Sequence, residues 1–449
     1  MPPEPGEDTR RWLADAVWLG GSELAENVVI ETVGGRIFGI ESASVAPNAV
    51  RIHGVVLPGL VNSHSHAFHR LLRGRTHRQG GDFWLWREQM YRYAGSLTPE
   101  SYEEVATAVY MEMALAGVTT VGEFHYLHHQ SGGVPYTDAN EMGHALIRAA
   151  RAAGIRIALL DAGYFAAGFG DAPLDDIQTR FSDGTAERWL ERVDALISTY
   201  RGDPDVSIGL APHSVRAVPE AVMVAVAGWH DGRIPIHAHV SEQPAENLAC
   251  LEATTLSPTG VLDRVGLLGP ATTLVHATHV TDRDIEMIAR SGATVCYCAT
   301  TERDLADGLG PSAELAAAGV PLAVGSDSHA VIDLFEETRG IELHARLAGG
   351  RRGVFAPKAL LAAATTAGSS SLGFGGSGLE VGSPADFVVI DAETPRLRGV
   401  LGDDGLAGVL FAATAADVSD VFVAGRQVVD HGGHPGWERA RVALDGPGP

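Results

Sequence analysis

Val55-Val56-Leu57-Pro58-Gly59-Leu60-Val61-Asn62-Ser63-His64-Ser65-His66 is an apolar run that ends in two histidines spaced by one residue. Val55–Val61 reads as a strand. Residues i and i+2 of an extended segment point the same way, so the two imidazoles converge on one point just beyond it. Neutral imidazole nitrogens bind divalent metals, although two loop histidines are more often simply solvated. What gives the pair weight is its repetition. Ile234–His239, Thr272–His276 and Pro321–Asp327 are further predicted strands that end in His or Asp.

Working outward, strand and helix patterns alternate. The predicted strands are Val55–Val61, Val118–Glu123, Ile155–Ala162, Val206–Pro212, Ile234–Val240, Thr272–His276, Ala293–Cys298 and Pro321–Ser326. Ala-rich segments with helical periodicity lie between them, among them Ser101–Ala116, Glu141–Ala153, Ala186–Tyr200 and Asp282–Arg290. Eight such units are the sequence form of an α/β fold, a (β/α)8 TIM barrel. In that architecture the chemistry sits beyond the C-terminal strand ends. Those positions carry His64 and His66, Glu123 with His125 and Tyr126, Tyr164, His213, His239, His276, Thr300 with Thr301, and Asp327.

Both ends of the chain change style. Trp12–Leu19, Asn27–Val33 and Ile37–Glu41 read as short strands with a Gly34-Gly35 hairpin turn, and Ala385–Asp391 and Val418–Val423 resume the pattern. The expected organisation is a small β-sandwich built from residues 1–57 and 375–449, around a barrel of residues 58–374. The Gly-rich stretch Gly373–Gly378 reads as the linker back to the β domain.

The 449 residues carry a formal net charge of -23, which argues against nucleic acid or an anionic membrane as partner. No apolar run is long enough to span a bilayer. The acidic, Pro-rich Met1–Glu7 lacks the apolar core of a signal peptide, so a cytoplasmic protein is expected. An anionic substrate would need a local basic pocket in so acidic a chain. The three cysteines, Cys250, Cys296 and Cys298, offer no disulfide framework and read as buried thiols.

Longer motifs sharpen the picture. They are His64-Ser65-His66-Ala67-Phe68, Phe83-Trp84-Leu85-Trp86-Arg87-Glu88-Gln89-Met90-Tyr91, Glu123-Phe124-His125-Tyr126-Leu127-His128-His129, His213-Ser214-Val215-Arg216, His239-Val240-Ser241-Glu242-Gln243, Val275-His276-Ala277-Thr278-His279 and Gly325-Ser326-Asp327-Ser328-His329. Together they resemble the amidohydrolase superfamily and, within it, the formimidoylglutamate deiminases. The resemblance covers nearly the whole chain. It implies a metal-dependent hydrolase that converts N-formimino-L-glutamate to N-formyl-L-glutamate and ammonia. Val206–Val215 has no lysine of the kind carbamylated in two-metal relatives, which points to one metal per chain.

The implied ligands are His64, His66, His239 and Asp327. Three neutral nitrogens and a carboxylate suit Zn2+ with an open position for water, and Fe2+ or Mn2+ would also be accommodated. Glu242, which by position alone reads more readily as a solvated loop carboxylate, would by the resemblance carry a proton from water to the leaving nitrogen. His276 would polarise the nucleophile, and Asp327 would take part in the chemistry as well as in binding. A small anionic substrate with two carboxylates calls for arginine, whose planar fork binds carboxylates through two hydrogen bonds. Arg87 and Arg216 are the candidates, with Tyr126, His213 and His69 adding hydrogen bonds. Arg70, Arg73, Arg75 and Arg78 read as surface residues. A homodimer is the expected assembly.

Two positions depart from the family pattern: His69 replaces a glutamine, and Asp304 replaces an asparagine, adding a negative charge near the predicted mouth. Two other readings compete, a nucleobase or triazine aminohydrolase with the same metal centre and a metal-free scaffold protein. The arginine pair discriminates against the first, and retention of all four ligands against the second.

Overall fold

The computed structural model describes residues 9–77, 83–376, 378–402 and 404–445. The N-terminal Met1–Glu7 segment, Arg78, Ser377 of the Gly-rich stretch and the side chains of Phe83 and Trp84 lie outside that description.

Two sheets organise the chain. The first contains β1 (Thr9–Val17), β2 (Ala25–Val33), β3 (Arg36–Ser42) and β4 (Val50–Pro58) from the N-terminal side. β13 (Phe387–Ile390), β14 (Val418–Val423) and β15 (Arg426–Val429) join from the C-terminal side. The second contains β5 (Leu60–Ser65), β6 (Val118–His125), β7 (Arg156–Gly163), β8 (Val206–Pro212), β9 (Ile236–Val240), β10 (Thr272–His276), β11 (Thr294–Tyr297) and β12 (Leu322–Val324). These eight pair in parallel in chain order, as a (β/α)8 barrel requires.

The opening stretch is therefore two strands, not one. β4 belongs to the terminal sheet and pairs antiparallel with β13, while Gly59 separates it from β5 of the barrel. The apolar run is continuous because both halves are buried, so hydrophobicity alone could not mark the break. The histidines are also closer in than expected: His64 lies inside β5, and only His66 follows it.

The terminal sheet is one continuous seven-stranded sheet, ordered β15-β14-β13-β4-β1-β2-β3. Trp12 of β1 lies 5.5 Å from Phe422 of β14, ring centre to ring centre. The two strands stand three places apart, which in a flat sheet would separate them by about 14 Å. The sheet therefore curls over and encloses its own core of Trp12, Ile30, Ile37, Phe387 and Phe422, so the two layers of the expected sandwich are parts of one sheet.

The barrel closes where its first and last strands meet. Asn62 Nδ2 donates to Ser326 Oγ at 2.7 Å, and Ser326 N donates to Asn62 Oδ1 at 2.9 Å. Asp327 N donates to the His64 carbonyl at 2.9 Å, and His66 N donates to the Asp327 carbonyl at 3.1 Å. Gly325 is required at this seam, because a Cβ there would stand 2.7 Å from His64 Cβ and 2.8 Å from its backbone.

Helix α1 (Phe83–Ser96) follows β5 and covers the barrel mouth, and α2 (Pro99–Leu115) follows it, started by a Thr98–Ser101 capping box with Pro99 at its first turn. No helix among the described residues is long and apolar enough to cross a membrane.

Candidate metal centre and substrate cavity

The strand ends deliver the histidines to one point. His64 Nε2 lies 3.2 Å from His239 Nε2, and the Nε2 atoms of His64 and His66 each lie 3.5 Å from Asp327 Oδ1. His66 Nδ1 donates to the Phe124 carbonyl at 3.0 Å, and His239 Nδ1 donates to the His213 carbonyl at 3.0 Å. Those bonds place the ring proton on Nδ1 and leave each Nε2 lone pair facing inward. Burial holds all three imidazoles neutral, with His64 lowered to about 3 and His66 and His239 also below the ordinary value. Lone pairs that converge with a carboxylate in a buried site call for a positive centre, and this donor set fits one divalent ion.

Beneath the centre, Glu123 accepts a hydrogen bond from Ser65 Oγ at 2.6 Å and from Ala67 N at 2.7 Å, fixing the segment between and after the two histidines. Burial pushes its carboxyl up to about 8 against those two donors. Backbone strain gathers around the centre. Ser241, His276, Ala277 and Asp327 all have positive φ, a conformation costly for residues with a Cβ and concentrated at functional sites.

His276 faces the centre from β10. Its Nε2 lies 3.8 Å from Asp327 Oδ2 and 3.9 Å from Glu242 Oε1, while Nδ1 lies 3.5 Å from the buried Glu302. Burial alone would disfavour its charge, but Glu242, Glu302 and Asp327 outweigh it and hold the imidazole well above its ordinary pKa. Glu242 in turn lies 3.5 Å from Arg216 Nη2, and Arg216 Nε donates to Ser214 Oγ at 3.3 Å.

A cavity partly open to solvent leads to this point. His66, His239, His276, Asp327 and Glu242 line its floor, and His69, Arg87, Tyr126, His213 and Arg216 line it further out. His64 is fully buried behind them. His69 Nε2 shares a 2.7 Å hydrogen bond with the Tyr126 hydroxyl, so the histidine that departs from the pattern is tied to a cavity residue. The Arg87 guanidinium sits 5.7 Å from the centre of the Tyr91 ring.

Several strand-end residues go elsewhere. His125 turns away from the cavity, its ring 6.2 Å from that of Tyr102 on α2 and its Nε2 3.2 Å from His128 Nδ1. Thr300 donates to Glu337 behind the barrel, and Thr301 meets Ser328 at 3.1 Å. Asp304 does not line the cavity. It faces His77 at 3.4 Å on a neighbouring surface, next in sequence to the cavity residue Leu305. Arg70 and Arg73 are not free surface residues either: both bind Glu112, and Arg73 Nε also donates to the His329 carbonyl at 2.8 Å. All three cysteines are free and buried, with Cys296 and Cys298 packed on Val275 and Ala323.

Sequence reasoning missed the outer wall, which Trp86, Met90, Tyr91 and Phe181 supply. Tyr91 stands one helical turn beyond Arg87 on α1, so the i, i+4 spacing could have found it. Phe181 and the nearby Gln178 lie in the one-turn 3-10 helix Gln178–Phe181 after β7, too short to carry such a signal.

Comparison with known proteins agrees with this geometry. The profile of the amidohydrolase family matches residues 55–428. Formimidoylglutamate deiminase of Pseudomonas aeruginosa is 39% identical over 432 residues, covering 94% of this chain and 95% of that one. The crystal structure of an amidohydrolase from Brucella melitensis superposes with a TM-score of 0.91 at 36% identity, over 97% of this chain and 98% of that one. An adenosine deaminase from Xanthomonas campestris, solved with bound zinc, shares the fold with a TM-score of 0.85 at 24% identity over 99% of each chain. The chain belongs to the amidohydrolase family and, with a deiminase relative along almost its whole length, is a C–N hydrolase.

Proposed function

We propose that this enzyme hydrolyses N-formimino-L-glutamate to N-formyl-L-glutamate and ammonia, using one divalent metal held by His64, His66, His239 and Asp327. The observation that carries the reading is two guanidiniums, Arg87 and Arg216, lining the same cavity as that donor cluster. A chain with net charge -23 has no general attraction for a dianion, and paired arginines supply a local one. The 39% identical relative named for this substrate supports the choice. A neutral nucleobase ring does not call for two guanidiniums.

When bound, zinc at such a site supplies a water nucleophile that ionises near neutral pH. The side chains do the rest. Oxygen adds to the formimino carbon, the bond from that carbon to the terminal nitrogen breaks, and ammonia leaves. Glu242 takes one proton from the attacking water and delivers it to the departing nitrogen, and the second water proton passes to the same nitrogen as the carbonyl forms. His276, facing the centre beside Glu242 and Asp327, stabilises the negative charge that develops. Arg216 steadies Glu242 and binds one substrate carboxylate.

The test is ammonia release from N-formimino-L-glutamate, N-formimino-L-aspartate and guanine in parallel. The proposal expects the glutamate compound to have the highest kcat/KM. Preference for guanine, or no release from either formimino acid, refutes it.

A further inference from the structure

The outer wall of the cavity contains a hydrogen-bond arrangement that the mechanism above leaves unused. The Gln178 side chain, itself buried, donates from Nε2 to the Tyr91 hydroxyl at 3.0 Å and to the Tyr164 hydroxyl at 3.1 Å. Its amide cannot be reversed. Oε1 already accepts from Asp175 N at 3.0 Å, while Asp175 Oδ1 accepts from Gln178 N at 2.8 Å. This reciprocal box fixes the amide oxygen toward the backbone and the two N–H bonds toward the phenols.

Each phenol oxygen therefore accepts from Gln178 and keeps its own O–H to donate. Both rings line the cavity. Burial keeps both hydroxyls protonated, raising Tyr91 and Tyr164 above the ordinary phenol value.

The pair stands away from the metal centre. Tyr164 is 4.8 Å from His213, which is 4.9 Å from the ligand His239. Phe181 stands 5.7 Å from Tyr164, 6.2 Å from Tyr91 and 5.0 Å from Tyr126, and Tyr126 is 5.3 Å from the ligand His66. On each side an aromatic ring intervenes, so the hydroxyls address a part of the substrate remote from the reacting carbon. The wall is firmly mounted. Arg180 donates to the His129 and Leu97 carbonyls at 2.8 Å each and to the Ala94 carbonyl, tying the Gln178 segment to the end of α1.

We infer that Tyr91 and Tyr164 are a paired hydroxyl donor, preset by Gln178, that selects for a carboxylate at the end of the substrate far from the formimino group. Arg87, over the face of Tyr91, supplies the countercharge there. The inference rests on the proposed function for the identity of the substrate, but not for the existence of the donor pair. It makes Tyr91, Tyr164 and Gln178 specificity-determining residues that act on binding.

The test uses Tyr91→Phe, Tyr164→Phe, their combination, and Gln178→Glu. Ammonia release is measured from N-formimino-L-glutamate and from N-formimino-L-norvaline, whose side chain ends in a methyl group. Each Tyr→Phe change should raise KM for the glutamate compound about tenfold, in line with the loss of a hydrogen bond to a charged group, with kcat within about twofold. The combination should raise it about 100-fold. For the norvaline compound kcat/KM should stay within about twofold of wild type in every variant. Gln178→Glu should match the combination, because a carboxylate there accepts both phenol protons. The Tyr→Phe variants keep the rings, and their unfolding midpoints should match wild type. Equal losses on both compounds, or a fall in kcat at unchanged KM, would overturn the inference. Should wild type release no ammonia from the glutamate compound, the proposed function fails separately and titration calorimetry with glutarate decides the donor pair. Binding weakened at least tenfold in the double variant supports the pair; absent or unchanged binding overturns it.

Discussion

Replacing Arg216 by methionine separates the two jobs proposed for this side chain, holding Glu242 and binding a substrate carboxylate. The first is weak by its geometry. Nη2 stands 3.5 Å from Glu242 Oε2, and the arginine side chain is 31% exposed, so the pair contributes about 1 kcal/mol. Its loss should lower kcat about fivefold by letting the proton carrier drift. The second job involves a charge pair shut in by substrate, and truncating one partner of such a pair costs about 3 kcal/mol. Together, about 4 kcal/mol predicts a fall of roughly 10³-fold in kcat/KM for N-formimino-L-glutamate. Arg216→Lys should recover about tenfold of this, since the charge remains and the two-pronged geometry does not. Steady-state ammonia release with N-formimino-L-glutamate and with formamidine, which has no carboxylate, reads both parts. Formamidine is expected to be a poor substrate whose kcat/KM drops only about fivefold in Arg216→Met. The reasoning is refuted if both compounds lose the same factor, because the arginine would then serve the protein and not the substrate.

Four further outcomes are expected. The purified protein should carry about one divalent ion per chain by elemental analysis, and Asp327→Asn should reduce that occupancy together with activity; two tightly held ions would contradict the four-ligand assignment. Glu242→Gln should keep metal and substrate binding while kcat falls about 10²-fold or more, and near-normal turnover would hand proton transfer to another group. His69→Gln should leave kcat/KM within about tenfold, because either side chain can hydrogen bond to Tyr126, whereas a new preferred substrate would mark His69 as a specificity switch. Burial would raise the Asp417 carboxyl, but bonds from Arg396, Thr394 and Thr414 outweigh it and hold the group at about 2. Its contribution is therefore fully present above the unfolded-state value near 4 and lost as pH falls toward 2. Denaturation of wild type and Asp417→Asn should show a stability gap at pH 7 that closes below pH 4, and a gap independent of pH would argue against the linkage.

The convergence of the candidate residues was legible in the sequence because strand ends are where a parallel barrel exposes side chains, and His64, His66, His239, His276 and Asp327 all fall there. The same rule over-reached at His125 and Thr300. His125 closes β6 with its ring toward α2, and Thr300 stands past the end of β11 in the first turn of the short helix Ala299–Asp304, where it binds Glu337. The break at Gly59 was invisible because burial on both sides keeps β4 and β5 equally apolar. Gln178 was beyond sequence reading for another reason. Its role comes from a three-residue box with Asp175 and from tyrosines on two distant elements, and no periodicity connects those positions.

The seam that closes the barrel also sets when the proposed metal centre can form. Asn62 and Ser326, whose side chains join the first strand to the last, are 264 residues apart, and the histidine pair and Asp327 flank that junction. On a ribosome adding 5–20 residues per second, roughly 10–50 s of synthesis separate the two halves of the ligand set. A nascent chain can form its first strand–helix units early but cannot offer the complete ligand set until the last of them docks. Ion capture is thus a report of finished topology, and an ion held by the full set acts as a clasp across the longest chain closure in the barrel. By mass action it favours the closed form in proportion to its concentration over its dissociation constant. Chelation should accordingly loosen the junction between the two ends of the barrel before it disturbs the terminal sheet, whose core contains none of the ligands.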